Sequence, residues 1–64
     1  MLPVGKVLVF GDLDGWVHFL DRSNGTPLLR LPTNGSPIVG APVRAGNTIA
    51  VTTQDGVVFA FRPE

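Results

Sequence analysis

Cysteine is absent from this 64-residue chain and histidine occurs once, so neither a disulfide framework nor a zinc cluster is available to hold it together. Charge is scarce and balanced, five basic against five acidic residues with no run of either sign. That excludes the basic groove of a nucleic-acid binder and the polybasic surface that anionic lipids attract. Long apolar runs are missing as well. None approaches the roughly 20 residues that span a bilayer as a helix, and Met1-Leu2-Pro3 has neither the charged nor the apolar region of a secretory leader. The chain as it stands is expected to be soluble. No segment spaces its apolar residues as a helix would.

What is present is a hydrophobic fraction of 44% in 6.8 kDa. For so short a chain, the apolar burial available to a compact fold about balances the entropy lost in ordering the backbone and side chains. With no cross-link to shift that balance, association is the remaining source of stability.

The most regular feature is turn chemistry. Asp14-Gly15, Asn24-Gly25, Asn34-Gly35, Gly46-Asn47 and Asp55-Gly56 recur at Gly-to-Gly spacings of ten, ten, eleven and ten. Such pairs adopt the positive φ angles of two-residue hairpin turns. Short strands are therefore predicted near Lys6 to Asp12, Trp16 to Asp21, Pro27 to Leu31, Ile38 to Arg44, Thr48 to Thr53 and Val57 to Arg62. Several, such as Val7-Leu8-Val9-Phe10 and Val57-Val58-Phe59-Ala60-Phe61, are apolar on both sides, which predicts burial of both faces by sheets stacked on either side. That arrangement needs more chain than is here.

An internal repeat defines the unit. Leu8 to Leu20 lies over Ile49 to Phe61 without a gap, placing Gly15 on Gly56 at an offset of 41 residues. A period near 40 made of four short strands is the mark of a β-propeller, since solenoids of similar period carry helices. The fold class expected is all-β, an antiparallel meander making about one and a half blades. Pro37 and Pro42 then fall on the first strand of a blade, an edge where a missing N–H is tolerated.

After the third strand the sequence reads Phe19-Leu20-Asp21-Arg22-Ser23-Asn24-Gly25-Thr26-Pro27-Leu28-Leu29. It resembles the quinoprotein-like (PQQ-like repeat) propeller family, whose usual form is small-x-Asp-x-x-Thr-Gly-Lys-x-x-Trp. Asp21 and Gly25 match, while Thr26 and Leu29 replace the Lys and the blade-docking Trp. The segments Val9 to Leu20, Gly35 to Val43 and Asp55 to Arg62 resemble the last blades of that family's outer-membrane protein assembly factors. The resemblance implies an eight-bladed parent, a periplasmic lipoprotein at the outer membrane whose partners are proteins of the β-barrel assembly machine. It also implies that the leader, the lipid-bearing Cys and most blades lie outside this chain. On that reading residues 2–35 are a blade lacking most of its first strand. Residues 36–64 are the last blade, lacking its fourth.

Catalytic and metal-binding readings are weaker. Asp12-Leu13-Asp14-Gly15 with Asp21 has the carboxylate spacing of part of a calcium loop, but Phe10 stands at the first ligand position and no helices flank it. Capping of turns by the Asp side chains is the better reading. His18, Asp21, Ser23 and Ser36 include the residue types of a hydrolytic triad without an elbow or oxyanion donors, and the Gly residues lack phosphate-loop spacing. No catalytic residue, metal or cofactor is expected. Trp16, the one large residue that opens a strand directly after a turn, is the candidate partner contact, although packing against a neighbouring blade explains it better.

The function expected is a non-catalytic scaffold acting through protein–protein contacts. The alternative is a piece of a quinoprotein dehydrogenase propeller, which the missing docking Trp disfavours. The isolated chain is expected to self-associate by strand pairing or exchange at the apolar Val57 to Arg62 edge.

Overall fold

The computed structural model describes residues 2–62 and is all-β. Seven strands follow one another: β1 (Leu2–Val4), β2 (Val7–Gly11), β3 (Trp16–Asp21), β4 (Pro27–Pro32), β5 (Ile38–Ala45), β6 (Thr48–Thr53) and β7 (Val58–Phe61). They form two antiparallel meanders, a first sheet in the order β1-β2-β3-β4 and a second in the order β5-β6-β7. This architecture is consistent with a piece of a β-propeller, as the repeat predicts.

The turns differ from the two-residue form expected. In the β2–β3 connection the Gly15 amide donates to the Asp12 carbonyl at 3.4 Å, and the Asp12 amide donates to the Trp16 carbonyl at 3.0 Å. The turn therefore takes in all of Asp12 to Gly15, with Asp-Gly as its second half and Gly15 at φ 84°. This is the longer hairpin loop that ends on a left-handed glycine. One repeat later the Gly56 amide reaches the Thr53 carbonyl at 3.0 Å and the Thr53 amide the Val57 carbonyl at 2.9 Å, with Gly56 at φ 87°. The two hairpins are equivalent, as the offset requires.

The first sheet turns one face inward. Leu2, Val4, Val7, Val9, Val17, Phe19 and Leu31 pack from it against Ile38, Ile49, Val51, Phe59 and Phe61 of the second. Val9 and Val17 are fully buried, and Ile49 and Val51 nearly so. Burial of both faces, expected from the two-sided apolar strands, is not what these residues do. Each sheet buries one face on the other and leaves its second face open, because two layers make only one interface.

The link between the sheets is tightly seated. Asp12 accepts from the Ile38 amide at 3.0 Å through its carbonyl, and Pro37 accepts from the Gln54 amide at 2.7 Å. The Gly15 carbonyl accepts from both the Thr33 amide at 2.9 Å and the Thr33 hydroxyl at 2.6 Å. Strand β5 is an edge, where the sequence placed Pro42, and its pairing with β6 shifts between Val39 and Val43. The irregularity contains Gly40 at φ 73° and Pro42, whose missing N–H the broken ladder does not need.

Candidate functional site

The β2–β3 hairpin gathers the polar and aromatic residues that the sequence singled out. Phe10 and His18 are direct cross-strand partners. Their rings stack on the open face of the first sheet, with centroids 4.8 Å apart and planes 15° from parallel. His18 Nε2 lies 2.5 Å from Asp12 Oδ2. The other Asp12 oxygen accepts from the amides of Asp14 and Trp16, both at 2.9 Å. The His18 contact, then the Trp16 amide, hold the Asp12 carboxyl below the usual carboxylate range.

Asp21 is engaged at the far end of β3. Its Oδ1 accepts from the Ser23 hydroxyl at 2.6 Å and the Ser23 amide at 2.8 Å, which lowers its pKa as well. Asp55 caps the second hairpin. It accepts from the Thr53 hydroxyl and, at 2.9 Å, from the Asn34 side-chain amide, and these two bonds lower its pKa in that order. Asp12 and Asp21 do the turn-capping work predicted for Asp side chains, whereas in the second hairpin the Thr53 hydroxyl, at the position of Asp12, accepts from the Val57 amide at 3.2 Å and Asp55 bonds that hydroxyl.

The calcium-loop and triad spacings do not converge in space. Asp12 and Asp21 flank opposite ends of β3, so their carboxylates do not wrap one point. His18 meets Asp12, whereas Ser23 meets Asp21 and Ser36 lies in the connection to β5. Among the described residues no three His, Cys, Asp or Glu side chains cluster as metal ligands do.

Trp16 is half-buried at the start of β3, and the Arg30 guanidinium of β4 lies over its ring, 4.4 Å from the centroid. Sequence reasoning missed both the Trp16–Arg30 and the His18–Asp12 pairs. The second was open to discovery: once the turn is known to span Asp12 to Gly15, Asp12 falls diagonally across from His18 on one face.

Relatives found among curated proteins carry one name. The chain is 55% identical over 60 residues to the outer membrane protein assembly factor BamB of Burkholderia pseudomallei, covering 94% of this chain and 16% of that protein. The chain matches a segment of BamB. The matched stretch corresponds to that protein's C-terminal part, in agreement with the blades that the sequence resembles. BamB of Bordetella pertussis is 37% identical over 59 residues, and BamB of Nitrosomonas eutropha 38% over 61. In both cases the aligned part is 15% of the relative's length, so the chain spans about one sixth of the BamB proteins it matches. No family model matches the chain. No solved structure matches it either.

Proposed function

We propose that the chain is part of a non-catalytic propeller scaffold, through which a periplasmic lipoprotein of the β-barrel assembly machine aids the folding and insertion of outer-membrane proteins. The observation that carries this reading is the 55% identity over 94% of the chain to an outer membrane protein assembly factor. In this reading residues 2–35 and 36–64 are consecutive blades of the parent, the second awaiting a fourth strand beside β7. The parent sits at the periplasmic face of the outer membrane, held by lipid. No helix among the described residues is long and apolar enough to cross a membrane.

Support for a contact role comes from the hairpin itself. Its Asp12 carboxylate is engaged in hydrogen bonds that shape the turn, while Trp16 and, from β4, Arg30 present side-chain types enriched at the centre of protein interfaces. Self-association of the isolated chain belongs to the same reading, because the open sheet faces are those that neighbouring blades would cover.

Affinity purification of the full-length parent tests the assembly role. Recovery of barrel-assembly components is the result expected. Recovery of none under conditions that preserve the machine would overturn it.

A further inference from the structure

We infer that the end of the molecule formed by the β1–β2, β3–β4 and β5–β6 turns is a docking surface for an acidic segment of a partner protein. Charge is balanced along the chain but not in space. A meander sends successive turns to alternate ends of its strands, and the register fixes which residues each end receives. Val4 pairs with Val7, Val7 with Asp21, Ala45 with Thr48 and Ile49 with Phe61, which brings Lys6, Arg22, Arg44 and Arg62 to one end. Val4, Val7 and Ile49 line one small cavity between the sheets, so both sheets share that end. At the other end the Ile38 amide donates to the Asp12 carbonyl, and Asp12, Asp14 and Asp55 lie in the β2–β3 and β6–β7 turns there.

Four of the five basic residues thus stand at one end, with Asp21 as the only carboxylate beside them among the described residues, and three carboxylates stand at the other. Arg30, the fifth cation, is taken up by the Trp16 ring. From Lys6 to Asp12 the chain runs the length of β2, which at roughly 3.3 Å per residue separates the two ends by about 20 Å. That is more than twice the screening length of about 8 Å at physiological salt. The ends therefore do not neutralise one another, and each presents its own sign to an approaching molecule. In a propeller, neighbouring blades stack on the sheet faces while the turns at the strand ends form exposed surfaces, so this end stays accessible in a longer protein.

The four cations are exposed, and among the described residues none of them pairs with a carboxylate. Arg22 reaches the Gly5 carbonyl at 3.5 Å and Arg44 the Gly46 carbonyl at 2.9 Å, while Asp21 is turned to the hydroxyl and amide of Ser23. The β1–β2 and β3–β4 turns are tied together by the Arg22 amide, which donates to the Lys6 carbonyl at 2.8 Å. Between them lies an open hollow lined by Gly5, Lys6, Asp21, Arg22 and Ser23, a concave site for a single acidic side chain. Three of the four cations are Arg, whose planar fork binds a carboxylate through two bonds at once. Lipid is the poorer occupant. An anionic leaflet attracts a dense cluster of cations, whereas these sit on separate turns and share their end with Asp21, a layout that suits discrete carboxylates spaced along a peptide.

The inference rests on charge placement and not on the assembly role, and its test uses no barrel-assembly protein, so either can fail without the other. Binding of a synthetic oligoglutamate peptide, and separately of phosphatidylglycerol vesicles, is measured for the full-length parent. The same is done for a variant carrying Lys6→Glu and Arg22→Glu together, and for Asp14→Asn as a control at the opposite end. Circular dichroism confirms folding, and Lys6→Gln with Arg22→Gln replaces the reversed pair if that does not fold. The expected result is that the unaltered protein binds the peptide and that the doubly reversed variant binds it roughly tenfold more weakly, because two attractions become repulsions. Asp14→Asn should leave binding unchanged, and added salt should weaken it. No peptide binding by the unaltered protein, or equal binding by the reversed variant, would overturn the inference. A loss confined to the vesicles, with peptide binding unchanged, would overturn it in favour of a lipid contact.

Discussion

Gly11 on β2 and Ile38 on β5 touch across the two sheets: a Cβ on Gly11 would fall 2.6 Å from the Ile38 Cβ and nearer still to its Cγ2. Backbone on one side and a branched carbon on the other leave no flexible atom to move aside. Since Ile38 is itself part of the buried core, any side chain at position 11 forces the layers apart.

Gly11→Ala is therefore expected to destabilise the fold by about 1 to 3 kcal/mol, the usual cost of overpacking. Combining it with Ile38→Ala should cost less than the sum of the two single changes, because the smaller residue vacates the space the new methyl needs. Denaturant unfolding of the four chains checks this; simple additivity would mean that the contact does not limit the spacing of the sheets.

The two equivalent hairpin glycines should respond differently to the same change. Both have positive φ, which an alanine tolerates at a cost of roughly 1 kcal/mol or more. At Gly56 a Cβ meets nothing within 4 Å, whereas at Gly15 it would lie 2.9 Å from the Gly35 Cα and 2.9 Å from the Ser36 carbonyl oxygen. Gly15→Ala should thus lower the melting temperature clearly more than Gly56→Ala. Equal shifts would show that the turn and the inter-sheet link are not packed as described.

Acid should weaken the fold through its turns. Asp12, Asp21 and Asp55 all have pKa values lowered by hydrogen bonds made only in the folded chain. A depressed folded pKa gives stability that is fully present above the unfolded value of about 3.9 and is lost as pH falls through the folded value. Stability should accordingly be flat near neutrality and decline below about pH 4. Asp12→Asn and Asp21→Asn should each flatten part of that decline, as followed by unfolding at a series of pH values. An unchanged acid limb in both variants would assign the loss to other groups.

Trp16 bears on the scaffold reading. In the full-length parent, Trp16→Ala should weaken capture of barrel-assembly proteins by roughly thirtyfold or more if the side chain is an interface anchor, since such residues cost about 2 kcal/mol or more on truncation. Arg30→Ala should weaken capture less, by loosening the orientation of the ring. Unchanged capture with a lowered melting temperature would instead make Trp16 a packing residue between blades.

Much of this architecture was legible in the sequence because turn residues punctuate it so regularly. Six of the strands fall within a residue or two of the segments bounded by the Gly-containing pairs. β1 is not among the segments the turn residues bound, since three residues with Pro in the middle are too few to show a period. The irregularity between Val39 and Val43 also left no alternation to read, because it breaks the pairing that alternation reports. At the candidate site, turn capping by Asp12 and Asp21 followed from residue type, whereas Thr53 taking the place of Asp12 in the second hairpin did not. The Trp16–Arg30 contact depends on β3–β4 register, which shifts between Phe19 and Leu20 and so defeats counting along the chain.

Thr52 stands one repeat after Gly11. A layer laid on β6 in the way the second sheet is laid on β2 would set its own counterpart of Ile38 against the Thr52 side chain, in the space that Gly11 leaves empty one layer earlier. The second sheet can follow the first but cannot follow another copy of itself without being trimmed at that point. Duplicating the second unit alone at the level of the gene would therefore yield a chain whose layers no longer mesh at Thr52, and one missing side chain is enough to record their order.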